Sequence, residues 1–144
     1  MKKVSFRTWS DVKLLTGLIW GEARGESWYG KVAVAQCVRT RVEHPGHWKW
    51  GNNWREVILA PWQFSCFNPK TESRRRIWET GQVMKDEMWR ECELIAQGVY
   101  LGQINDFHDF KITHYFNPHV VKPEWAEGLK HVFTLGRHDF YTCF

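Results

Sequence analysis

One carboxylate constrains this chain more than any other residue. Between Ser10 and Arg24 the apolar side chains Val12, Leu15, Leu18 and Ile19 recur at helical spacing. They lay a stripe along one side of a helix, and such a stripe is buried against other elements. At about 100° per residue, Glu22 projects onto the middle of the same stripe. The chain must therefore pack this helix on its apolar side and still accommodate an ionisable group there. Ser10 predicts the N-cap and Gly25 the end of the helix.

The next segments are read the same way. Ser27 caps a second helix running to about Val42, with Val32, Ala35 and Val38 facing inward. Residues 44–53 are polar and hold Gly, Pro and Trp, so they read as a loop. Asn53 caps a short helix to Leu59, which Ala60-Pro61 stops. Residues 61–70 read as irregular. A helical region broken near Gly81 has its main part from about Lys85 to Tyr100, and Gly102 ends it.

The last third changes character. Residues 112–116 are β-prone and Asn117-Pro118 stops them. Residues 131–134 and 138–142 flank Leu135-Gly136-Arg137, a hairpin pattern. The expected fold class is α+β, mainly α: a helical body with a small antiparallel sheet from the C-terminal third. With 144 residues, no repeat and no linker, the chain reads as one domain, 1–144.

Composition narrows the function classes. The ten Trp supply core area, and aromatic rings also line sugar-binding clefts. The net charge of +4 favours polyanions, bacterial cell wall among them. The basic residues are dispersed except for Arg74-Arg75-Arg76, which reads either as a solvated helix start or as a polyanion contact. Cys37, Cys66, Cys92 and Cys143 form no C-x-x-C pair and no zinc pattern; Cys37 and Cys92 read as buried free thiols. The N-terminus has a charged start but no apolar run, so no signal peptide and no stable membrane insertion are expected. That implies synthesis in the cytosol, a reducing compartment that suits unpaired cysteines.

Glu22 carries the chemistry. A carboxyl on an apolar face loses hydration of its charged form, which raises its pKa. An acid protonated near neutral pH can donate to a leaving group, and glycosidic bonds need that donation. The alternative is a glutamate at a helix end paired with Arg24 or Arg39.

A longer pattern bears on that choice. The string from Gly21 to Ser27 (Gly-Glu-Ala-Arg-Gly-Glu-Ser), followed by Gly30-Lys31-Val32-Ala33-Val34-Ala35-Gln36, resembles the opening motif of the SleB-type cell wall hydrolases. This is the family of spore cortex-lytic enzymes, also found in phages. Pro61-Trp62-Gln63-Phe64-Ser65-Cys66, Thr113-His114-Tyr115, Pro123-Glu124-Trp125-Ala126 and the segment from Gly136 to Tyr141 are similar to its later segments, in order, over about residues 10–142. The resemblance implies a lysozyme-like catalytic domain acting on peptidoglycan at the bond after N-acetylmuramic acid, with Glu22 as catalytic acid. Where the family usually has Asn before Arg-Val, this chain has Thr40. A hydroxyl keeps one local hydrogen bond but not the amide donors.

Two outcomes stay open for that bond. Hydrolysis, as in a muramidase, needs a second carboxylate, and Glu26 is the nearest in sequence; its other reading is a carboxylate at the dipole of the second helix. Without such a partner Glu22 acts as acid and then as base on the sugar's own 6-hydroxyl. That is the lytic transglycosylase route to a 1,6-anhydro end, and it is the expected one. Gln63, Phe64, Ser65, His114, Tyr115 and Glu26 are the candidate substrate-binding residues. His114 and Tyr115 alternate on their strand, so only one faces the cleft. Tyr115 is placed to steady positive charge at the anomeric carbon. His138 and Tyr141 read as knitting the sheet to the helices, and Trp62 and Trp125 as possible sugar platforms.

The rivals are a peptidase with Cys66 as nucleophile and His114 as base, a zinc enzyme for which no ligand spacing is present, and a non-catalytic wall-binding or nucleic-acid-binding module. The expected enzyme is a monomer with peptidoglycan as its partner. It needs no metal or cofactor and binds no nucleic acid. An endolysin released by a phage holin fits the missing signal peptide.

Overall fold

A computed structural model describes residues 6–47, 50–60 and 82–144. Its helices begin where short side chains satisfy first-turn amides. α1 (Asp11–Ala23) starts with Ser10 Oγ accepting the Lys13 N–H at 3.1 Å. α2 (Trp28–Glu43) starts with Ser27 accepting from Gly30 at 3.3 Å. α3 (Trp54–Leu59) starts with Asn53 accepting from Glu56 at 2.9 Å. Each such cap contributes about 1 kcal/mol. α4 (Glu87–Tyr100) begins two residues later than expected, because Gln82–Lys85 forms a 3-10 turn and Asp86 supplies the cap. Gly102, at φ +70°, ends it.

α1 differs from its expected form. Leu14 through Trp20 are seven consecutive buried residues, so the middle of the helix is buried on every side rather than along a stripe. The reason is its place in the body: α2, α3 and α4 all pack around it. Leu15, Leu18 and Ile19, on the side of the helix where Glu22 projects, are fully buried; Glu22 itself is less so. It sits in the last turn, half buried, where α1 leaves the core. α4, by contrast, is one-sided, with Trp89, Cys92, Ile95, Ala96 and Val99 inward and Arg90, Glu93, Leu94 and Gln97 outward.

α2 is the second central helix, and it carries polar groups into the core. Lys31 is 1% exposed; its Nζ donates to the Glu26 carbonyl at 2.7 Å and to Glu91 Oε1 on α4 at 3.1 Å. Gln36 Nε2 donates to Asp106 Oδ1 at 2.7 Å, and Gln36 Oε1 faces His108 Nε2 at 2.9 Å. Arg41 Nε donates to the Thr113 carbonyl at 2.8 Å. Buried polar groups are costly unless partnered, so these bonds fix α2 against the turn before it, α4 and the approach to the sheet.

The sheet has the order β1-β3-β2, all antiparallel, with β1 (His114–Phe116), β2 (Lys130–Leu135) and β3 (His138–Thr142). β1 is shorter than residues 112–116, although Thr113 N–H still donates to the Tyr141 carbonyl at 2.9 Å. Register pairs Tyr115 with Phe140 and His114 with Tyr141. Alternation then sorts the side chains. Tyr115, His138 and the fully buried Phe140 share one face. His114, Phe116 and Tyr141 share the other, where Trp125 from the 3-10 turn Glu124–Gly128 packs on all three. This is the α+β, mainly α architecture expected. No helix among the described residues is long and apolar enough to cross a membrane.

Candidate active site

The end of α1 and the turn that follows it present two carboxylates. Glu22 occupies the last turn of α1. The arginines that sequence offered as its partners are engaged elsewhere: Arg24 stacks 4.4 Å over the Trp20 ring, and Arg39 pairs with Asp106 and, at 3.7 Å, with Glu43.

Glu26 is better defined. Its side chain is only 10% exposed. Oε1 accepts the Arg137 N–H at 2.8 Å, across 111 positions of sequence. The same oxygen lies 3.4 Å from His138 Nδ1, near enough for an ion pair but outside hydrogen-bond geometry. A Cβ on Gly136, whose φ is +56°, would fall 2.8 Å from Oε1. A bare left-handed glycine at the hairpin tip is what lets the carboxylate reach the backbone. The reading of Glu26 from sequence named no such contact: its carboxylate serves the β2–β3 hairpin, while Ser27 caps α2 as expected.

His138 continues the cluster. Burial lowers its pKa, and the Glu26 carboxylate pulls the other way without cancelling the effect. Its ring lies 5.2 Å from that of Tyr115. Glu26, His138 and Tyr115 therefore form one group between the helix turn and the inner face of the sheet. His138 does knit the sheet to the helices. Tyr141 does not, because alternation puts it on the outer face, stacked on Phe116 at 5.5 Å.

His114 also lies on the outer face. It is buried between Trp50 and Trp125, with Nδ1 2.8 Å from Thr113 Oγ1. Burial, reinforced by the Arg41 cation, pushes its pKa down to about 3, so the ring is neutral. Trp125 is half buried over His114, Phe116 and Tyr141 as part of the packing of that face. Thr40 donates its hydroxyl to the Gln36 carbonyl at 2.9 Å, one turn back in its own helix. Cys37 and Cys92 are buried free thiols, each pushed up to about 12 chiefly by burial. Gln63, Phe64 and Ser65 lie outside the described residues, as do Trp62, Cys66 and Arg74-Arg75-Arg76.

Sequence reasoning missed the Glu26–hairpin contact and the burial of Lys31 and Arg41. The signals were faint: a glycine at a hairpin tip, and single cations inside apolar helical runs.

Comparison with known proteins adds to this geometry. Residues 25–141 match the model of a family described as Cell Wall Hydrolase, a match that begins three positions after Glu22. The spore cortex-lytic enzyme of Bacillus subtilis (strain 168) is 26% identical over 132 residues, covering 91% of this chain and 37% of that protein. That of Halalkalibacterium halodurans is 25% identical, with 91% and 34% covered. The chain thus spans little more than a third of the length of these two relatives. Among solved structures, the catalytic domain of the germination-specific lytic transglycosylase SleB from Bacillus anthracis superposes with a TM-score of 0.68 at 23% identity, over 94% of this chain and 98% of that one. The catalytic domain of Bacillus cereus SleB gives 0.60 at 24% identity, over 92% and 89%. At these identities the likeness is one of fold: a helical body with a small three-stranded sheet.

Proposed function

The chain belongs to the cell wall hydrolase family, and from that premise we propose that residues 1–144 form one catalytic domain cutting the glycan strand of bacterial peptidoglycan. The bond is the β-1,4 linkage from N-acetylmuramic acid to N-acetylglucosamine, and Glu22 is the proton donor. The observation that supports this choice is the commitment of Glu26. Its Oε1 already accepts a backbone N–H and packs on Gly136, so the nearest carboxylate in sequence is engaged by the hairpin. Two-carboxylate hydrolysis needs a partner that can act on water or on the anomeric carbon. A carboxylate held in this way is a poor one.

One group then serves twice. Glu22 gives its proton to the departing O4 of the next sugar as the C1–O4 bond breaks. The carboxylate takes the proton of the muramic 6-hydroxyl as O6 bonds to C1. The product ends in a 1,6-anhydro ring, no water is consumed, and Glu22 returns to its starting state. Tyr115, on the inner face of the sheet beside His138, steadies charge developing at C1. Gln63, Phe64 and Ser65 bind sugar groups in this reading. His114, from the outer face, supports the strand that carries Tyr115.

The test is mass spectrometry of the soluble products after digestion of purified peptidoglycan. Anhydro-muramic ends are expected. Reducing muramic ends would mean hydrolysis by a muramidase. Cleaved peptide stems on intact glycan would exclude glycan cutting and turn attention to Cys66.

A further inference from the structure

We infer that Glu26 and His138 are positioning residues that latch the tip of the β2–β3 hairpin to the turn that follows the helix carrying Glu22, so that the hairpin forms a fixed wall of the site. This rests on the reading of Glu22 as the catalytic acid.

Three features of the contact belong together. Glu26 is nearly buried and sends Oε1 to the Arg137 amide at 2.8 Å. Gly136 is the one residue type that both adopts φ +56° with ease and leaves room for that oxygen. His138, also nearly buried, brings Nδ1 to 3.4 Å from the same oxygen. A buried carboxylate persists only where polar partners surround it, and here residue 137 donates its N–H and residue 138 brings a ring nitrogen close, both over a hundred positions away.

The turn is gripped from its other side as well. The Glu26 carbonyl accepts from Lys31 Nζ, which also bonds Glu91 on α4. Residue 26 is therefore fixed by its main chain to the helical body and by its side chain to the hairpin. Glu22 lies four positions upstream, at the end of the helix that feeds this turn. His138 passes the constraint to the sheet through its ring contact with Tyr115. Displacement of reacting groups by about 1 Å costs about 100-fold in rate. Loosening this latch should accordingly lower kcat and leave KM nearly unchanged.

The experiment uses peptide-stripped glycan strands, with kcat and KM measured for four single variants, and hydrogen exchange at the Arg137 amide as an independent readout. In Glu26→Ala, kcat should fall about 100-fold with KM within about threefold, and the Arg137 amide should exchange faster. Glu26→Gln keeps an oxygen for that amide, so it should retain its protection and hold kcat within about tenfold of wild type. His138→Phe, which leaves the Glu26–Arg137 bond in place, should lower kcat about tenfold at unchanged KM, and it serves if Glu26→Ala does not fold. Wild-type kcat in Glu26→Ala or in His138→Phe would overturn the assignment. So would a Glu26→Gln variant as inactive as Glu22→Gln with the amide still protected, since the carboxylate charge would then take part in the chemistry. If Glu22→Gln alone kept full activity, the reading of the acid would fail. Unchanged exchange at Arg137 in Glu26→Ala would count against the latch itself.

Discussion

At the scale of single residues, the neighbours a side chain keeps decide what it can do. His114 and Tyr115 are adjacent in sequence and separated by the thickness of the sheet. Tyr115 meets His138, whereas His114 is sealed under Trp125 and beside Arg41. That burial has a consequence for stability. An unfolded histidine titrates near 6.5, while His114 in the fold titrates near 3. Between those values the unfolded chain binds a proton that the folded one refuses. Stability is therefore full above about pH 6.5 and is lost as pH falls toward 3, by up to about 1.4 kcal/mol per pH unit from this one group. Urea unfolding at pH 7, 6 and 5 should show this loss. His114→Gln, which cannot take up the proton, should show a shallower one. Equal slopes in the two proteins would remove His114 as the cause. The buried thiols make a second, simpler case: Cys37 should resist alkylation in the native protein at pH 8 and react once urea unfolds it.

At the scale of elements, what sequence revealed was whatever is settled within a few residues. Ser10, Ser27 and Asn53 announce their helices because the amides they satisfy lie three positions on. Gly136 announces a hairpin because its φ is a local demand. The all-round burial of α1 was not legible, since periodicity within one helix says nothing of how many neighbours surround it. Nor was the partner of Glu26, which depends on the sheet folding back onto a turn more than a hundred residues earlier. Glu22 stood out through its local pattern, but its half-buried place at the rim of the core, where α1 ends, came from packing. Lys31 is the sharpest example of an unannounced link, because it joins α2, the preceding turn and α4. Lys31→Met removes both bonds while keeping most of the apolar stem. It should cost about 2 kcal/mol, less than a fully buried pair because the Glu91 side chain is about a third exposed (35%). A chevron or equilibrium urea series would measure it. A cost below about 0.5 kcal/mol would show that the bonds add little beyond packing.

At the scale of the whole molecule, the helical body holds Glu22 at one end of its central helix, and the small sheet closes on the same turn. The net charge of +4 acts over longer distances. A cationic protein is drawn to an anionic wall, and salt screens that attraction over about 10 Å at 0.1 M. Sedimentation with purified peptidoglycan should therefore weaken severalfold between 0.05 and 0.5 M salt (roughly the range over which screening becomes strong). Binding indifferent to salt would place recognition in the site itself. The proposed acid, Glu22, lies three positions before the matched residues 25–141, and the likeness to two SleB catalytic domains is one of fold.

The most direct test of that acid is Glu22→Gln, which removes the proton donor at nearly constant volume. Release of soluble glycan fragments from peptidoglycan would be compared with wild type, and circular dichroism would verify the fold. The account predicts a loss of at least about 1,000-fold, since one group performs both proton transfers. A folded Glu22→Gln protein with wild-type activity would contradict it.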